Sequence, residues 1–248
     1  MVGRKGWMVA PVLAALFAAV FVVSWMAIEP TRLISIVDQD GRSPLELMTI
    51  PFFAAIAPAV WLFCPFSGSR KRKFLLSLAV TLLSVLAVMK ELDLHIALIE
   101  WAYPDVAQYH GTPFKMKFLT KTDYPIGAKA IVVAYFGILF SIGGFAIIRY
   151  IKPLFKGFFK LHPAAWSVAF MGGSGVLVQV ADRLPAMLRK LGWIDPALMD
   201  KHTGSVAALM KVFEEGSEMA LAAFAILAIL QAHMIYNPPP QESPYRSI

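Results

Sequence analysis

Two short acidic stretches, each embedded in long apolar runs, are where this sequence can carry chemistry. In Lys90-Glu-Leu-Asp-Leu-His95, Lys90 and Asp93 stand three apart and can pair on one helical face, which leaves Glu91 and His95, four apart, on another. In Lys211-Val-Phe-Glu-Glu-Gly-Ser-Glu218, Lys211 and Glu215 can pair in the same way, which leaves Glu214 and Glu218 on a shared stripe. If the two segments pack together, Glu91, His95, Glu214 and Glu218 converge as candidate metal ligands, with Glu46, His110 and His202 as candidate additions. Oxygen and nitrogen donors of this kind suit a divalent metal such as zinc, iron or manganese. Without a metal, Glu91, Glu218 and Asp182 are candidate acid–base groups, one of them held protonated by like-charge crowding. The opposing reading is an interhelical polar network that fixes packing and binds no ion.

The motif record narrows these options. A ferritin-like di-iron bundle needs two Glu-x-x-His pairs, and the His-Glu-x-x-His zincin pattern is absent. Met171-Gly-Gly-Ser-Gly175 lacks the Gly-Lys-Ser/Thr of a phosphate loop, and no Gly-x-Ser-x-Gly elbow occurs. These glycines, with Gly137, Gly143 and Gly144, read instead as places where two helices approach closely. The single cysteine, Cys64, excludes an intramolecular disulfide.

The elements that must position the acids are membrane spans. Of the 248 residues, 58% are hydrophobic and only 16% charged, with a mean hydropathy of +0.64, far from the balance of a soluble domain. A span needs about 20 apolar residues. Six stretches qualify: about Trp7 to Ile28, Leu45 to Cys64, Phe74 to His95, Ile126 to Ile148, Pro163 to Ala181 and Val206 to Tyr236. The expected fold is all-α, a polytopic membrane protein with a bundle of about six transmembrane helices in residues 1–236, followed by a loose Pro-rich tail, 237–248. The first run is too long for a secretory leader and reads as a retained helix.

Six spans place both termini on one side. Short loops dense in Lys and Arg, Arg70 to Lys73 and the turn Arg149 to Lys160, assign that side to the cytoplasm of an inner membrane. Of the 16 acids only Glu242 falls there. The basic pI thus reflects the membrane surface, with lipids and other membrane proteins as the expected partners and no nucleic acid. Counted up each span at 1.5 Å per residue, Glu46, Glu91, Asp182 and Glu218 all lie about 26 to 29 Å from the cytoplasmic end. They form a layer near the outer edge of a core about 30 Å thick. Above that layer, Lys115, Lys117 and Lys121 in Phe114-Lys-Met-Lys-Phe-Leu-Thr-Lys121, together with Lys129, are candidate lipid-binding residues, with ordinary aromatic anchoring as the competing reading. The functional expectation is a metal-dependent or acid–base enzyme acting on a lipid or lipid-linked substrate. A non-enzymatic membrane subunit or assembly factor is the alternative, and a transporter is disfavoured because its site would lie near the midplane.

Overall fold

A computed structural model describes residues 6–37, 43–64, 66, 68–104, 116–120, 124–200 and 202–236. The tail 237–248 lies outside the described residues. Those described form helices α1 (Val9–Ala27, preceded by a 3-10 turn), α2 (Pro30–Val37), α3 (Pro44–Phe63), α4 (Arg70–Glu91), α5 (Leu94–Ala102), α6 (Met116–Thr120), α7 (Ile126–Phe159), α8 (Pro163–Leu191) and α9 (Ser205–Tyr236), with a 3-10 turn at Pro196–Met199. Six of them are long and apolar enough to cross a membrane, and the chain is an all-α, membrane-spanning bundle.

Local chemistry sets the helix ends. Ser43 opens α3 with a capping box, its hydroxyl accepting from Glu46 N–H while Glu46 accepts from Ser43 N–H at 2.9 Å. Ser69 caps α4, and Gly192, in the left-handed region, closes α8. Helix α9 is the hub: it packs against α1, α2, α3 and α8, while α4 leans on α3 and α7 on α8. Buried polar bonds tie the hub in place. Ser167 donates to Gln231 Oε1 at 2.7 Å, Trp25 Nε1 to Ser205 O at 2.9 Å, and His233 Nδ1 meets Phe63 O. The polar end of the sixth span, Gln231 and His233, is thus engaged in packing.

Three expectations change here. The third span does not run to His95: α4 stops at Glu91, Asp93 turns left-handed at φ 51°, and α5 starts afresh at Leu94. The basic stretch from Arg149 is no turn. It continues α7 to Phe159, giving 34 residues, or about 51 Å, which carries its end well beyond a core about 30 Å thick. The glycines at 137, 143, 144, 172 and 173 do not mediate close helix contact, since a Cβ at any of them would meet nothing within 4 Å. A Cβ at Gly175 would lie in ordinary contact with Leu221 of α9, and a tighter approach between long helices is at Gly216 of α9, where a Cβ would run into the ring of Phe21 from α1.

A candidate carboxylate centre between two helices

Glu215 and Glu218 stand three apart on α9 and so share one stripe. Glu91 is the last residue of α4, with Lys90 just before it. Carboxylate oxygens of Glu91, Glu215 and Glu218 come within 4.8 Å of one another. The Lys90 ammonium bridges the helices, 2.6 Å from each oxygen of Glu218 and 3.0 Å from Glu91 Oε1. The Glu91 and Glu218 side chains are 3% and 10% exposed, whereas Lys90 is 51% exposed. The ammonium therefore stands between buried acids and the surroundings. On the far side of α9, Phe21 lies on Gly216 within an apolar cluster that includes Leu33, Ile34 and Val212.

The membership differs from the sequence-based expectation. Lys211 pairs with Glu214 at 3.0 Å, and Glu215 turns inward. Lys90 pairs across the helices and not with Asp93, because the left-handed turn at Asp93 takes that residue off the face of α4. The same break puts Glu91 and His95 in different helices, so the stripe they were to share does not exist. The side chain of His95, like His110, lies outside the described residues. Glu46 is engaged in the α3 cap. His202 is exposed, its backbone N–H donating to Asp200 at 3.0 Å. Asp182 is exposed on α8, within electrostatic reach of Glu214. Lys115, Lys121 and the side chain of Lys117 lie outside the described residues, and Lys129 sits half-buried in the first turn of α7.

Of the four acids of the expected layer, Glu46 and Glu91 stand at the ends of α3 and α4, whereas α8 and α9 run on past Asp182 and Glu218. Three members of the site, Lys90, Glu215 and Gly216, escaped sequence reasoning. The available signal was a glycine amid three acids on a helix: at such a position the bulk that would keep a neighbour out is missing.

Chemically, three carboxylates face one ammonium, so the full charges sum to a negative surplus in a water-poor place. Such a surplus calls for a bound proton or a further cation. The donor set is all oxygen among the described residues, which suits a hard divalent ion of the manganese or magnesium class better than zinc. An ion held by these carboxylates would compete with the Lys90 ammonium for Glu218, and the Lys90 side chain is half-exposed. Comparisons with protein-family models, with curated proteins and with solved structures give no match, so the reading of this centre rests on its own residues.

Proposed function

We propose that the chain is a membrane protein whose Glu91–Glu215–Glu218 centre binds a cation, either a proton or a hard divalent metal. In this reading the cation serves acid–base or metal-assisted chemistry on a lipid or lipid-linked substrate. The single observation that carries it is the convergence of three buried carboxylates from two helices behind one half-exposed ammonium. Charge of this kind inside a membrane protein is costly and marks a functional site by default. The lipid class of substrate is supported by exposed apolar side chains: Trp101 on α5, the helix that follows α4, and Ile126 at the start of α7 are more than 80% exposed and suit contact with lipid. In this reading the centre lies at the non-cytoplasmic face of an inner membrane, with both termini cytoplasmic, as the short basic loops favour.

A second reading has an observation of its own. Lys90 already ties α4 to α9 through both Glu218 oxygens, as a clamp in a non-enzymatic membrane subunit would.

Elemental mass spectrometry of untagged protein, purified with manganese or magnesium present, separates the two. The cation-site reading expects near-stoichiometric metal, or thermal stability that depends on pH across the neutral range, and either property disappears in Glu215→Gln plus Glu218→Gln. Metal-free wild type with pH-independent stability would leave the clamp, and the search would turn to a partner protein.

A further inference from the structure

A groove of about 700 Å3 runs between α4 and α7 at the opposite, basic end of the bundle, independent of the carboxylate centre. The two helices are antiparallel and are bridged at both ends. Tyr135 Oη donates to Leu86 O at 3.2 Å, and Arg72 Nη2 lies 3.5 Å from Tyr150 Oη. Between these bridges the walls are Leu75 and Ala79 on one side, Ile142 and Phe145 on the other. At the basic end the mouth carries Lys71, Arg72 and Arg149, and among the described residues no acid lines the groove. The lining from Ser69 to Ala79 extends about 15 Å along α4, which is the depth of one leaflet of a hydrocarbon core about 30 Å thick.

We propose that this groove is a binding site for an anionic phospholipid, with one acyl chain along the trough and the phosphate held by Arg72 and Arg149. The charge complementarity selects the occupant. A trough open to the bilayer takes an acyl chain, and guanidinium groups at its membrane–water end take a phosphate through paired N–H donors. A basic pocket between helices is a recurring way of holding such head groups. Lys71 adds a third positive charge at the same level.

The test uses the full chain in phosphatidylcholine nanodiscs titrated with phosphatidylglycerol, with retained lipid read by native mass spectrometry. Wild type should keep phosphatidylglycerol preferentially. Arg72→Gln plus Arg149→Gln should lose retention by about 30-fold, two cations each counting for about five-fold near a membrane surface. Lys152→Gln plus Lys156→Gln, basic residues of α7 outside this groove, should leave it unchanged. An equal loss in that control would reduce the effect to diffuse surface charge and overturn the site. So would saturation by inorganic phosphate alone, or a dimer that occludes the groove and holds no lipid. Wild-type protein supplies a measurement that no folding defect can spoil. Phosphatidylglycerol carrying a photoactivatable acyl chain should label Leu75, Ile142 and Phe145, whereas labels spread evenly over the lipid-facing helices would overturn the proposal.

Discussion

Lys90 and Gly216 decide the candidate site, and neither draws the eye as a chemical residue. Lys90 is the cation beside the acids, and removing it takes away the ammonium that Glu91 and Glu218 share. Lys90→Met should therefore destabilise the fold by about 1–3 kcal/mol, less than a fully buried pair would because half the side chain is exposed. In a Lys90→Met, Glu218→Gln double variant the loss should fall short of the sum of the singles, and denaturant titration in detergent reads this coupling. Gly216 has a steric role. Its added methyl in Gly216→Ala would enter the Phe21 ring, an overpacking that costs about 1–3 kcal/mol. Phe21→Leu in the same chain should restore part of it, and thermal unfolding of the two variants checks both. In the sequence, Glu91 and Glu218 were visible as members, since charge inside an apolar run stands out. The choice between Glu214 and Glu215 was not visible, because both lie within reach of Lys211 and only the direction of α4 across α9 picks the inward one.

The elements show where a one-dimensional reading holds. Periods and lengths located five of the six spans to within a few residues of one or both ends, because apolar runs of about 20 residues have few other uses. Two kinds of error followed from ends. A helix that leaves the membrane keeps its hydrogen bonds, so polar residues from Arg149 onward did not stop α7. Conversely, α4 breaks inside a sequence with no glycine or proline, at Asp93. The turn before α9 allows a sharper test. Asp200 accepts from Thr203 Oγ1 at 2.8 Å and from the backbone N–H groups of His202 and Thr203. The Thr203 hydroxyl first, then these amides, hold its carboxyl below the ordinary value of 3.8. A carboxylate lower in the folded than in the unfolded chain supports its turn fully above that ordinary value. The support is lost as pH falls through the lowered one. Amide exchange at Thr203 should accelerate over that acid range, and Asp200→Ala should exchange fast at every pH.

For the whole molecule, six long apolar helices that each cross once would put the two ends of the described chain, near Gly6 and Tyr236, on one side. Cys64 is the single cysteine and follows the second crossing, so it should share that side. In sealed vesicles, an impermeant thiol reagent should label Cys64 and a cysteine placed at Gly6 from the same side, and one placed at Trp193 from the other. Labelling of Gly6 and Trp193 from one side would require a different number of crossings.

Composition and run length by themselves determined the all-α membrane class and the six long apolar helices. These depend on how each residue partitions between water and hydrocarbon, which is a property of the residue and its near neighbours. The tertiary structure alone decided which acids meet, that Lys90 joins them, that Phe21 seats on Gly216 while Gly137, Gly143, Gly144, Gly172 and Gly173 face open space, and that α4 and α7 part to leave a basic-mouthed groove. Each of these depends on how one helix is rotated against another. That rotation is set by the summed packing of side chains far apart in the chain, and no local spacing encodes it.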